Sequence, residues 1–200
     1  MSKISVTMSD EGEVLNPSRR RLLTSTGGLV LSAGALALLS NETWAQSMTA
    51  MPSLDVSILN VAVGLEYEGI NAYAIALKSG LLGTNAKKAA SKFQDDHKRH
   101  NDLLIATIRR LGGEPVEERS EAEYAKALNV DQLKNEKDVL ELAARLELGA
   151  TNAYLGVIPS FKDPKLAKAA GRLAADEASH FALLNFDLGR PFHPALGFGA

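Results

Sequence analysis

Leu65-Glu66-Tyr67, followed by Asn71-Ala72-Tyr73, returns 81 positions later as Leu146-Glu147-Leu148, followed by Asn152-Ala153-Tyr154. A second stretch repeats as well. Lys88-Ala89-Ala90-Ser91-Lys92, Asp96-His97-Lys98-Arg99-His100 and Leu103-Leu104 meet Lys168-Ala169-Ala170-Gly171-Arg172, Asp176-Glu177-Ala178-Ser179-His180 and Leu183-Leu184, displaced by 80. Two segments recurring in the same order are one structural plan used twice. Each segment carries its apolar residues at the three- and four-residue intervals of a helix. Two helix pairs built to one plan imply a pseudo-two-fold axis, and residues facing it come in pairs: Glu66 with Glu147, His97 with Glu177, and His100 with His180.

Working outward from the repeat, the periodicity predicts four long helices. The first runs from Leu54 to Lys78, with Ser53 or Asp55 as cap and Gly80 as stop. The second runs from about Asn85 to Leu111, capped by Thr84 or Asn85 and ended by Gly112-Gly113. A mixed loop from Glu114 to about Asp131 follows, with a short helix in Ser120–Ala127. The third runs from about Asp131 to Ile158 and closes at Pro159; the fourth starts with Asp163 as N-cap and Pro164 in its first turn, ending near Gly189-Arg190-Pro191. No segment alternates polar and apolar residues long enough for a strand. Short links within each pair, and roughly twenty residues between the pairs, describe an all-α four-helix bundle with up-down, long-crossover, up-down topology.

Composition narrows the function. Of 200 residues 46% are apolar, enough for one packed domain and too many for a disordered chain. Lys and Arg number 22 against 24 Asp and Glu, so no basic stripe is available for nucleic acid. The absence of Cys excludes disulfide scaffolds, thiol catalysis and cysteine-ligated metal clusters. A Gly-rich phosphate loop, a Gly-x-Ser-x-Gly elbow and a Ser–His–Asp set are all missing, which removes support for nucleotide and hydrolase chemistry.

Residues 1–45 read as an address. A polar lead precedes Ser18-Arg19-Arg20-Arg21-Leu22-Leu23-Thr24, then an apolar run from Gly27 to Leu39, then a small-residue exit at Thr43-Trp44-Ala45. The apolar run spans only about 20 Å as a helix, against about 30 Å for a bilayer core. Such a charged, short-apolar, small-residue order describes a secretory signal, and the paired arginines resemble the twin-arginine (Tat) export signal. The expectation is a mature, periplasmic, non-spanning domain from residue 46 to 200, handed to the Tat machinery already folded.

The repeated polar residues sit where apolar ones belong. His97 and His100 share a helical stripe with Phe93, Leu104 and Ile108; Glu177 and His180 share one with Leu173, Leu184 and Leu188. Glu66 follows Ile58, Ala62 and Leu65 in the same way, and Glu147 follows Leu140, Ala143 and Ala144. Burying an ionised carboxylate without a counter-charge costs several kcal/mol. Three carboxylates and three imidazoles converging, with no inward Lys or Arg, ask for one or two divalent cations.

With these residues in view, the chain from about residue 54 to 190 resembles the ferritin-like superfamily, especially its exported ferritin-like domain proteins. The resemblance implies a di-iron or di-manganese centre held by one Glu on each of the first and third helices and a Glu-x-x-His on each of the second and fourth. Glu66 and Glu147 match the single glutamates, and Glu177-Ala178-Ser179-His180 matches the fourth-helix motif in full. The second helix departs: His97-Lys98-Arg99-His100 puts His where the family has a metal-bridging Glu, and Asp96 points about 100° away. The loss of one carboxylate and one bridge weakens the hold on two ferric ions. A three-His, three-Glu set suits iron(II), manganese or zinc and leaves copper open.

Around these six, Tyr73 and Tyr154 stand two turns beyond Glu66 and Glu147, placed to pack or to hydrogen-bond ligands. Asn71 and Asn152 are expected to bond between helices or behind the ligands, and Glu68, opposite Gly149 in the repeat, to face solvent or support the ligands. His193, in the Phe192–Ala200 tail, reads as exposed. The resemblance implies a redox role such as iron(II) oxidation or peroxide removal, with oxygen or peroxide as partner. Metal sequestration or sensing without turnover, and a metal-free structural or stress-related bundle, are the other readings. No motif implies a cage; a monomer and a homo-oligomer such as a dimer stand equally open.

Overall fold

The computed structural model describes residues 53–191, so the export segment and the Phe192–Ala200 tail with His193 lie outside the described residues. Among the described residues there are five α-helices and no strand: α1 (Leu54–Lys78), α2 (Thr84–Arg110), the short α3 (Glu121–Ala127), α4 (Glu136–Val157) and α5 (Pro164–Asp187). No helix there is long and apolar enough to cross a membrane. α1 pairs with α2 and α4 with α5, while α1 also meets α4 and α3. The long connection from α2 to α4 returns along the bundle, which is the crossover expected of the repeat.

The helix ends show local chemistry. Ser53 caps α1 by accepting from the Val56 N–H, and Asp163 caps α5 by accepting from the Lys165 N–H at 2.8 Å. Gly80, Gly112 and Gly189 each take positive φ just past a helix end, as the sequence suggested. One expected cap and one expected helix start are corrected. α2 starts at Thr84 with Gly83 as its N-cap and no side-chain bond, so neither Thr84 nor Asn85 caps it. α4 starts at Glu136 rather than near Asp131, because Asn129 turns left-handed, Val130–Gln132 forms a 3₁₀ turn, and Asn135 accepts from the Asp138 N–H at 3.0 Å.

Asp55 does different work from capping α1. Its carboxylate accepts from the Lys162 and Asp163 N–H groups, at 2.9 and 3.3 Å, and so ties the α4–α5 link to the start of α1. Glu136, its counterpart in the repeat, accepts from the Gly83 N–H and ties the α1–α2 link to the start of α4. The pseudo-two-fold axis read from the sequence is therefore drawn in hydrogen bonds. Two apolar clusters fill the bundle, one around Val63, Ile108, Tyr154 and Leu173, the other around Tyr73, Phe93, Ala144 and Leu184. The repeated polar residues form a layer between them.

Candidate metal centre

Each of the six residues is buried. Glu66 and Glu147 are 1% exposed and Glu177 is 0%, with His97, His100 and His180 between 4% and 9%. They form two overlapping groups whose ligand atoms lie within 4.8 Å of one another: Glu66, His97, His100 and Glu177, and then His97, Glu147, Glu177 and His180. α1 and α4 bring one Glu each, and the three-residue spacing on α2 and α5 brings the other four to one level of the bundle.

His97 sits in the middle. Its Nδ1 lies 2.8 Å from Glu66 Oε2 and its Nε2 lies 3.3 Å from Glu147 Oε1. A carboxylate offers only lone pairs, so a ring bonded at both nitrogens to carboxylates is the imidazolium. Burial disfavours that charge, but hydrogen bonds and proximity to Glu147 and Glu66 outweigh it and hold His97 well above its usual range. Conversely, Glu66 and Glu147 are held below the usual carboxylate range, their imidazole partners overcoming burial. Glu177 goes the other way, pushed up chiefly by burial. The counter-charge that seemed to be missing is thus partly supplied by an imidazole.

The outer histidines are oriented from behind. His180 Nε2 donates to Asp96 Oδ2 at 3.2 Å, and His100 Nε2 lies 3.5 Å from Asp176 Oδ2. Both Nδ1 atoms therefore turn inward. His100 Nδ1 meets Glu177 Oε1 at 3.0 Å. His180 Nδ1 faces Glu147 Oε2 at 3.5 Å and Glu177 Oε2 at 3.4 Å, and none of these three atoms makes an aligned hydrogen bond among the described residues. Buried polar atoms without partners are uncommon, and three facing one another ask for a cation between them.

Tyr73 and Tyr154 do more than pack. Tyr73 donates its hydroxyl to Glu147 Oε1 and Tyr154 donates to Glu66 Oε1, each reaching from its own helix to the carboxylate of the other. Burial and the adjacent carboxylates push both phenols well above 10, which keeps the donors protonated. The asparagines behave differently from expectation. Asn71 is buried but bonds Tyr67 O at 2.9 Å and Glu118 Oε1 at 2.7 Å, on the crossover and away from the ligands. Asn152 is exposed and touches no ligand, because the crossover that engages Asn71 passes only once. Glu68, expected at the surface or behind the ligands, is 5% exposed and lines a cavity of about 20 Å³ with Gly69, Tyr73, His97 and Glu147. A larger apolar cavity of about 340 Å³, between α1, α4 and the crossover, shares Tyr73 and Leu146 with it.

Two contributors escaped the sequence reading. Asp96 was set aside as a substitute ligand, yet its repeat partner Asp176 marks it as the residue that steers a histidine from the opposite helix pair. Gly69 is the other: a Cβ there would stand 2.9 Å from His97 Cε1 and Nε2, so the ring lies against bare α1 backbone.

The chain belongs to the ferritin-like domain family, whose sequence model matches residues 54–190. Among solved structures it is similar to a conserved hypothetical protein of Mycobacterium tuberculosis, at 22% identity and a TM-score of 0.58, over 72% of this chain and 98% of that one. That likeness concerns the fold. No curated protein matches the chain.

Proposed function

We propose that this ferritin-like protein binds divalent metal through Glu66, His97, His100, Glu147, Glu177 and His180 as the set from which ligands are drawn, and that it works in redox chemistry such as iron(II) oxidation or peroxide removal. The observation that carries metal binding is the trio Glu147 Oε2, Glu177 Oε2 and His180 Nδ1, buried, unpaired and mutually facing. These donors fit a divalent ion of the iron, manganese or zinc type. A bound ion of variable valence would supply electron transfer to oxygen or peroxide. The chain's own contribution is to hold the donors in a dry layer, to keep Tyr73 and Tyr154 protonated as donors to Glu147 Oε1 and Glu66 Oε1, and to orient His180 through Asp96. The cavity beside His97 and Glu147 has room for one small molecule.

Elemental analysis of the purified protein, with thermal unfolding before and after chelation, tests this. Bound iron, manganese or zinc and a lower Tm after chelation are expected; a metal-free protein whose Tm ignores added metal overturns it. Steady-state oxygen or peroxide consumption then separates turnover from sequestration. Sequestration without turnover is the second reading, favoured by His97 standing where a bridging carboxylate would share two ions. We also propose Tat-dependent export to the periplasm, resting on Arg19-Arg20-Arg21 and the short apolar run after them. Cell fractionation checks it, with Arg19→Lys/Arg20→Lys expected to leave the protein in the cytoplasm.

A further inference from the structure

We infer that the centre is built for one divalent ion and not two, seated among Glu147, Glu177 and His180, and that His97 closes the second position by cross-linking Glu66 to Glu147. The inference rests on the metal-binding reading above and specifies number and place within it.

The two halves of the centre differ in which atoms are free. On the Glu147 side, three donor atoms are unpaired and face one another, at 3.5 and 3.4 Å from His180 Nδ1. With His180 Nε2 donating to Asp96, Nδ1 is the nitrogen aimed at the carboxylates, and it becomes a ligand when an incoming cation displaces its proton. On the Glu66 side, each corresponding atom has a partner. Glu66 Oε1 receives Tyr154 OH, Glu66 Oε2 meets His97 Nδ1 at 2.8 Å, and His100 Nδ1 meets Glu177 Oε1 at 3.0 Å. A second ion would have to break several of these bonds to gain ligands; the first breaks none on its own side.

The shape of the bridging group adds a second reason. Paired metal ions sit about 3.5–4 Å apart and share a carboxylate whose two oxygens point the same way. The two nitrogens of an imidazole diverge, and those of His97 already reach carboxylates on two different helices, α1 and α4. α1 makes room for the ring: Gly69 interrupts a helix interior where its repeat counterpart is Ala150, and a side chain there would strike His97. The glycine and the histidine form one fitted contact, which identifies His97 as a fixture of the site.

The experiment is an equilibrium titration of the chelator-stripped mature chain with zinc(II) against a chromophoric competitor, on wild type, His97→Glu, Glu66→Gln and Glu147→Gln. One zinc per chain is expected in wild type and two in His97→Glu. Glu66→Gln should keep one zinc, with affinity within about threefold, whereas Glu147→Gln should lose at least about 100-fold. Two ions in wild type would overturn the inference while leaving metal binding intact. Loss of zinc in Glu66→Gln with retention in Glu147→Gln would put the ion in the wrong half and also overturn it. No zinc in either wild type or His97→Glu would instead sink the metal-binding reading itself. Should His97→Glu fail to fold, the Glu66→Gln and Glu147→Gln pair still decides the position.

Discussion

The α1–α2 half of the centre and the α4–α5 half start from the same plan and end in different states. Tyr73 crosses to Glu147 as Tyr154 crosses to Glu66, and Asp96 reaches His180 as Asp176 approaches His100. Symmetry fails at one pair, His97 opposite Glu177. On one side that exchange gives a hydrogen-bonded block; on the other it leaves three donor atoms facing each other. A single side chain at a symmetric position can thus convert two equivalent pockets into one closed and one receptive.

The comparison breaks most completely at Glu177, which faces His97, His100 and His180. Glu177→Ala should bring bound metal below detection in elemental analysis and erase the Tm increase that metal gives wild type.

Alkali gives the next largest effect. Against burial, the neighbouring carboxylates of Glu177 and Glu66 raise His100 to about 10, those of Glu147 and Glu177 raise His180 to about 9, and His97 is held well above 6.5. A raised imidazole contributes its full stability below the ordinary value of 6.5 and loses it as pH climbs through the folded value. The metal-free protein should therefore lose stability progressively between about pH 6.5 and 10 in denaturant titrations. A bound cation replaces the lost protons, so the metal-loaded protein should hold its midpoint across that window, and metal affinity should rise with pH.

A finer contrast uses the steering carboxylates. Asp96 is mostly covered and 3.2 Å from His180, whereas Asp176 is exposed and 3.5 Å from His100. Asp96→Asn should weaken metal binding about 10–100-fold, and Asp176→Asn should leave it nearly unchanged in the same zinc titration. The smallest contrast is between the phenols. Tyr154→Phe strips Glu66 Oε1 of its hydrogen bond and should cost about 1–3 kcal/mol in urea unfolding. In Tyr73→Phe, Glu147 Oε1 keeps His97 Nε2, so a loss of about 0.5–1.5 kcal/mol is expected.

Much of this architecture was legible in the residues because it is periodic. Helical spacing placed Glu66, His97, His100, Glu147, Glu177 and His180 on inward stripes, and the repeat told which of them occupy equivalent positions. What stayed hidden depends on features that occur once. Asn71 and Asn152 look equivalent, but only Asn71 has Glu118 of the crossover within reach. The start of α4 was misplaced because Asp131–Asn135 carries helix-compatible residues, and the 3₁₀ turn and the extended Leu133 and Asn135 that keep it out of α4 have no periodic signature. That His97 would span two carboxylates required knowing that α1 comes close enough for Gly69 to touch the ring, a distance no spacing rule encodes. The role of Asp96 was within reach, since Asp96 and Asp176 stand in the repeat beside the histidines they serve.

Anomalous scattering from crystals grown with zinc addresses the arrangement most directly. A single strong peak in contact with Glu147 Oε2, Glu177 Oε2 and His180 Nδ1, with His97 still joined to Glu66, is the outcome this account predicts. A map with no peak inside the bundle, or with its peak between Glu66 and His100, would contradict it.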